Sequence, residues 1–553
     1  MSDHDILIKK NASIGAIDAY ADSEFLFDCF IDSGWIDELR DCENHRSIVL
    51  GRTGSGKSAL LLQLQHTQNN VIRLDPTDFA FRFIENSTVI KFFETAGVNL
   101  DLFYRLLWRH VLVVELLRRR YQLRHESDSI GFLATLNDLV KRDSGRRAAL
   151  DYLRSWGESF WETTEARTRE LTTKFESALT SSAGVDIDVA KLGAEGALKL
   201  GAETKEQIAI RGNDVVNSIQ IRELRDVVKL LSEKIFIDEK SKYYVVVDQL
   251  DEEWVASEAR FRLVRALIEE VRAFREIRNV KIIIALREDL LAEVIDFTRR
   301  AGFQEEKYQD YYLRLTWSKE GLSNLIEKRL STLFRRQYTN ANVVFSDIFP
   351  SAKKKQKVAL TYILERTLLR PRDVIAFVNE CLHVASERQR VSWKALKAAE
   401  ASYSKQRVNS LVEEWLSYYP SIAFTVDLLR DLPTRFQRSD ISGERFEKTV
   451  ESMACSDKGD ACIDIARKLF EAGQTVSKGD LVDEILRSFY RAGLIGAKFN
   501  AIEPTSWVSY HEKDLSRRDA RRAINFQVHK MFWRGLGIRI LPEDDDSLDV
   551  EDE

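Results

Sequence analysis

One octapeptide constrains this chain more than any other feature. Gly51–Ser58 reads GRTGSGKS and directly follows the short apolar run Ser47–Leu50, SIVL. Its glycines let the backbone curl until successive N–H groups face one point, an arrangement suited to a phosphate. The apolar pattern ALLLQLQ that follows is helical, and it sets the positive end of a helix against the same point. Strand, glycine loop and helix in that order predict an α/β fold with a parallel sheet covered on both faces.

Further strands are predicted at Val71–Leu74 (VIRL), Tyr243–Val247 (YYVVV), Val280–Ala285 (VKIIIA) and Tyr311–Thr316 (YYLRLT). Roughly 165 residues separate the second and third, far too many for a connection. Apolar residues recur there at intervals of three and four, which predicts a helical subdomain over 88–234. Within it, Ser181–Glu203 is rich in glycine and alanine and reads as a loop or hairpin outside the core. The pattern is helical again from Lys319 to Arg407, interrupted at LLRPRD. A helix over Lys478–Arg491, a strand at Leu494–Phe499, a hairpin through Tyr510 and the strand-to-helix stretch INFQVHKMFWRGL complete the chain.

Chemistry concentrates at two strand ends. In the glycine loop, Gly51, Thr53, Gly54, Ser55, Gly56, Lys57, Ser58 and Ala59 are the expected nucleotide-binding positions. Lys57 would bridge the β- and γ-phosphates and the Ser58 hydroxyl would ligate Mg2+. In YVVVDQLDE (Tyr244–Glu252), four apolar residues deliver Asp248 to a strand end, where it would hold magnesium through water. Asp251 and Glu252 follow at a spacing suited to polarising an attacking water. Gln249 occupies the position directly after Asp248 and cannot take a proton, so base work passes to Asp251 or Glu252.

The pattern D-x-L-D-E, together with the glycine loop, resembles the NACHT and related STAND ATPases, near the AAA+ and Orc-type proteins. The resemblance covers Gly51–Arg407 and implies a P-loop NTPase parallel sheet with a large helical insertion, a helical lid and a C-terminal winged-helix-like domain. It implies ATP and Mg2+ as ligands. It makes Arg287, at the end of VKIIIALRED, the sensor of the γ-phosphate. In LRPRD it makes Arg370, Pro371 and Arg372 lid residues that meet the nucleotide, and it makes His529 in FQVHKMF the histidine that reaches the β-phosphate of ADP. Arg299 and Arg300 stand where an arginine finger for a neighbouring subunit is expected. The expected division is an N-terminal helical segment (1–45), the core (46–317), the lid (318–408), the winged-helix-like domain (409–540) and an acidic tail (541–553).

Function follows as a set of expectations. The first is an ATP-hydrolysing molecular switch, the sensor or regulatory ATPase of a multi-component anti-phage defence system of bacteria, working as a homo-oligomer or with a separate effector protein. The alternatives are a loader or remodeller that engages duplex DNA through the winged helix, and a nucleotide-regulated scaffold with negligible turnover. DNA would meet Lys478, Arg487, Arg491 and Lys498, with the basic stretch Arg517–Arg522 (RRDARR) beside them. Charge does not choose between these. The net charge is −5, but Glu543–Glu553 carries eight acids and no base, and the remainder is positive. The five cysteines are scattered with no CxxC pair, which excludes a zinc cluster by spacing and suits free thiols in a reducing compartment. Apolar runs such as Val111–Leu117 are far shorter than the roughly 20 residues a bilayer requires. The opening MSDHDILIKK lacks a basic region followed by an apolar one. A cytoplasmic protein with no membrane partner is therefore expected.

Overall fold

The computed structural model describes residues 6–544, leaving out 23, 80, 125–127, 129–130, 137, 139–146, 158–161, 183–188, 219–220, 253, 256, 299–303, 338–342, 352–357, 472–475 and 509–514. The chain forms two compact units. One comprises Asp32–Arg52 and Gly56–Thr316; the other comprises Met1–Ile31, Thr53–Ser55 and Trp317–Glu553.

The first unit holds a five-stranded parallel sheet of β1 (Ile48–Leu50), β2 (Val71–Leu74), β3 (Tyr243–Val247), β4 (Val280–Leu286) and β5 (Tyr312–Arg314). Their order is β2-β3-β4-β1-β5. Every residue of β1, β3 and β4 is buried, as expected for parallel strands covered on both faces. Leu50 pairs with Leu286 of β4 and with Arg314 of β5, while Val247 of β3 pairs with Ile284. The carboxyl ends of the inner strands therefore finish at one edge. There the chain leaves β1 towards β2 at the far side, whereas it leaves β4 and passes β1 to reach β5. Ligands of open α/β sheets bind at such a switch point.

The interval between β2 and β3 is helical, as the sequence pattern requires. The longest helix among its described residues, Asp101–Tyr121, packs against the helix Ser257–Phe274 that follows β3. Trp108, fully buried, donates from Nε1 to the Leu263 carbonyl at 2.8 Å. Glu270, also fully buried, receives Arg105 Nε at 2.9 Å on one oxygen and Arg109 Nε at 2.6 Å on the other. The expected loop over Ser181–Glu203 is replaced, in its described part, by the helix Val189–Lys199, broken at Gly193 (φ 52°, ψ −160°). That helix packs on Thr88–Thr95, and Ala197 is fully buried. Small residues serve here as a close-packing face, which composition alone does not distinguish from a loop.

In the second unit the residues of 6–31 run in turns and pack on the helix Lys319–Gln337. Asp22 meets buried Arg329 at 2.6 Å, and Asn379 holds the backbone of Ile14 and Gly15. Among the described residues of the expected N-terminal helical segment, only Trp35–Arg40 is helical, and it belongs to the sheet-bearing unit. Helices Lys319–Gln337, Ala359–Glu365, Pro371–Val384 and Trp393–Trp415 share one core with a C-terminal group of three helices, Glu444–Ala454, Ala461–Lys468 and Lys478–Ala492. The group closes with an antiparallel sheet of β6 (Arg435–Phe436), β7 (Ile495–Lys498) and β8 (Asn525–Val528), ordered β6-β8-β7. Helix Lys478–Ala492 starts with a reciprocal cap between Ser477 and Asp480 and stops at Gly493, whose φ of 82° suits glycine. Among the described residues no helix is long and apolar enough to cross a membrane.

Candidate functional site

Gly51 follows β1, an inner strand between β4 and β5, and the helix Lys57–Thr67 starts where the glycine loop ends. Gly54 and Gly56 adopt φ of 77° and 98°, a region that L side chains rarely enter. Gly56 caps the helix without a side-chain hydrogen bond, so the first-turn N–H groups around Ser58 and Ala59 have no side-chain cap. The Lys57 ammonium folds onto the loop, donating to the carbonyls of Gly51 at 2.9 Å and Arg52 at 3.2 Å. Burial pushes its pKa down, while Asp251 and Asp248 push it up. The hydroxyls of Thr53 and Ser55 are buried with no hydrogen-bond partner. Uncapped N–H groups, orphaned hydroxyls and a held ammonium equip this loop to receive an anion.

The end of β3, beyond β4, brings the acids. Asp248 is 6% exposed and receives the Gln249 N–H at 2.9 Å. Gln249 takes a left-handed φ of 61°, which turns the chain sharply and sends Asp251 and Glu252 back towards the strand end. Its amide nitrogen donates to Glu252 Oε1 at 2.9 Å, and its amide oxygen receives Arg73 at 3.2 Å. Burial, reinforced by Asp75 and Asp251, pushes the Glu252 pKa up, and a carboxylate so shifted is a better proton acceptor near neutrality. Arg287, at the end of β4, is 9% exposed. It binds Asp289 through Nε at 3.0 Å and lies 3.7 Å from Asp251.

Three residues here carry no motif that points to them. Arg260 is buried and reaches the carbonyl oxygens of Asp251 and Glu252. Arg73 fixes the Gln249 amide. Glu288 is buried, with Oε1 3.9 Å from Arg314 and Oε2 without a hydrogen-bond partner. Burial raises its pKa to about 8, against the opposing pull of Arg314, Arg52 and Lys57. Its only sequence signal is its place beside Arg287.

Within the second unit, the loop tip Thr53–Ser55 meets the LRPRD segment. Arg370 donates to the Thr53 carbonyl at 2.7 Å and pairs with Asp373 at 3.2 Å and Glu414 at 3.4 Å. The Arg372 N–H reaches the Gly54 carbonyl at 3.3 Å, and its Nε is buried without a partner. A Cβ on Gly54 would come within 2.7 Å of Arg372 Cβ, so this approach requires glycine. Pro371 is buried at the first position of its helix. His529 opens the turn Lys530–Phe532. Its Nδ1 accepts the Met531 N–H at 3.2 Å, and its ring stands edge-on to Trp507 at 5.0 Å. Arg299 and Arg300, and the acidic tail from 545, lie outside the described residues.

The cations expected to meet DNA are largely engaged. Lys478 binds Glu447, Arg487 binds Glu484 and the Leu515 carbonyl, and Arg491 donates to the Tyr419 hydroxyl at 2.6 Å. The helix that carries them buries Asp483 and Glu484 as well as its apolar face. In RRDARR, Arg517 pairs with Glu484 and Arg521 with Asp480 and Asp483. Among the described residues no group of three or more His, Cys, Asp or Glu side chains converges as a metal site. Magnesium needs only one or two protein ligands besides water and phosphate, which Ser58 and Asp248 can supply.

A model of the FunZ-associated C-terminal helical domain matches residues 320–412, within the helices of the second unit. The chain is also 22% identical over 435 residues to the "Putative transposon gamma-delta 80.3 kDa protein" of Escherichia coli (strain K12). That similarity covers 77% of this chain and 55% of the relative, so the chain spans about half the length of the curated protein it matches.

Proposed function

We propose that this chain is an ATP-binding and ATP-hydrolysing molecular switch built on a P-loop NTPase sheet. The observation that carries the reading is the Gly51–Ser58 loop at the sheet's switch point, with Lys57 folded onto its carbonyls, Arg287 at the end of adjacent β4 and Asp248 at the end of β3. The backbone of Gly51–Gly56 and the helix start at Ser58 and Ala59 cradle the phosphates, and Lys57 neutralises them. Ser58 and Asp248 would hold Mg2+, which would supply positive charge to the bound phosphates. Asp251 or Glu252 accepts the proton of the attacking water. Arg287, released from Asp289, senses the γ-phosphate. Arg370 is tied to two carboxylates, so of the LRPRD cations Arg372 is the better placed to answer the nucleotide. His529 serves as the histidine that reaches the β-phosphate of ADP.

The three-helix group with its small antiparallel sheet supports the winged-helix-like reading of the C-terminal part. Duplex DNA draws little support from helix Lys478–Ala492, whose charged side chains are spent on their neighbours. Similarity to a transposon protein is in keeping with a mobile-element or defence setting, where this chain would be the sensor or regulator and a homo-oligomer or separate effector would act.

Steady-state turnover with Mg-ATP tests this. The wild-type chain should hydrolyse ATP, Lys57→Ala should lose both binding and turnover, and Glu252→Gln should bind ATP yet turn over slowly. Equal hydrolysis by all three would remove the site assignment.

A further inference from the structure

The acids after β3 sit on a turn rather than on a strand, so their direction depends on what grips that turn. Leu250 and Trp254 anchor it from below. Both are buried, Trp254 Nε1 donates to the Leu250 carbonyl at 3.1 Å, and its ring packs on Phe81 at 5.1 Å. Gln249 is held between Arg73 and Glu252. A further grip, besides Arg287 at Asp251, is Arg260, 4% exposed, in the first turns of helix Ser257–Phe274. Its Nη1 donates to the Asp251 carbonyl at 3.3 Å and the Glu252 carbonyl at 3.1 Å.

A buried guanidinium normally meets a carboxylate, because desolvating the charge costs several kcal/mol. Among the described residues Arg260 forms no ion pair; it spends its charge on two neutral carbonyls, and its Nε has no partner. An apolar side chain there would serve stability better. The helix behind it is immobilised by Trp108 at Leu263 and by Arg105 and Arg109 at Glu270. Arg260 thus joins a fixed helix to the two backbone groups that orient the acids.

We propose that Arg260 is a positioning residue for hydrolysis: it fixes where the carboxylates of Asp251 and Glu252 stand relative to the phosphate loop. This rests on the ATPase reading above. Nucleotide binding needs the loop and Lys57 and is indifferent to the acids' direction, whereas proton transfer is not. A misplacement of about 1 Å costs up to about 100-fold in rate.

The test measures kcat and the Kd for Mg-ATP for Arg260→Lys and Arg260→Met, each in the wild-type, Asp251→Asn and Glu252→Gln backgrounds, with thermal melts to report folding. We expect kcat to fall about 10- to 100-fold with Kd nearly unchanged. In the background that lacks the working base, Arg260→Lys should cost nothing further, because the group it positions is already gone. Arg260→Lys keeps the charge and the test if Arg260→Met unfolds. Equal fold-losses in all three backgrounds, or unchanged kcat in folded variants, would overturn the proposal alone. A wild-type chain that binds Mg-ATP and never turns it over would overturn the hydrolysis reading with it.

Discussion

Removing the charge of Glu270 should loosen helix Asp101–Tyr121 from helix Ser257–Phe274 within the sheet-bearing unit. The carboxylate is fully buried, and both oxygens are engaged: Oε1 by Arg105 Nε at 2.9 Å and Arg109 Nη2 at 2.8 Å, Oε2 by Arg109 Nε at 2.6 Å. Glu270→Ala strands Arg109 and leaves Arg105 only Glu269, at 3.3 Å, and breaking a buried pair in this way costs about 3–5 kcal/mol. The Arg105 side chain is 32% exposed and rehydrates, whereas Arg109 at 15% does so less, which places the cost near the lower end, about 3 kcal/mol. For a unit of this size that lowers Tm by about 6–12 °C. Differential scanning calorimetry and urea titration of the full chain measure it. Replacing the whole cluster (Glu270→Leu with Arg105→Met and Arg109→Leu) should recover most of the loss, since no charge is left stranded. A Glu270→Ala protein within about 0.5 kcal/mol of wild type would refute the reasoning, because surface substitutions behave that way and buried clamps do not.

Glu288 gives the chain a pH dependence of known sign. Its folded pKa of about 8 lies above the ordinary 4.5, so between these values the unfolded chain releases a proton that the folded chain keeps. Stability from this group is therefore full below about 4.5, falls as pH rises towards 8 by at most about 1.4 kcal/mol per unit, and is level above. Glu288→Gln should gain stability over wild type at pH 8 and not at pH 5 in urea titrations; an equal difference at both pH values contradicts this. Charge reversal at Arg487 and Arg491 should lower Tm by freeing Glu484 and Tyr419. Gel shifts at low salt decide the alternative: a steep, salt-sensitive DNA affinity lost in folded variants would contradict that structural role.

Much of the fold is legible in the sequence because its strands are short, apolar and closed by polar residues. YYVVV and VKIIIAL can only be buried on both faces, and all five strands fall where the apolar runs predict them. The glycine loop is legible because positive φ at Gly54 and Gly56 needs the residue itself. Residues that act through space are not legible. Arg260, Glu270 and Glu288 acquire meaning only when helix Ser257–Phe274 and the end of β4 are folded against their partners. Val189–Lys199 escapes because glycine and alanine mark a loop and a close helix contact alike. Arg287 is a similar case: two acids follow it in sequence, Glu288 and Asp289, and only the turn after β4 shows that it binds the second.

The most direct test of the account is an equilibrium titration of Mg-ATP against the wild-type chain and Lys57→Ala, read by calorimetry, with melts confirming that both are folded. The account predicts saturable binding at one site per chain by the wild type and its collapse in Lys57→Ala. The Lys57 ammonium spans the loop on which the proposed phosphates would rest, donating to the Gly51 and Arg52 carbonyls. Wild-type affinity retained in folded Lys57→Ala, or no binding by the wild type, would contradict it.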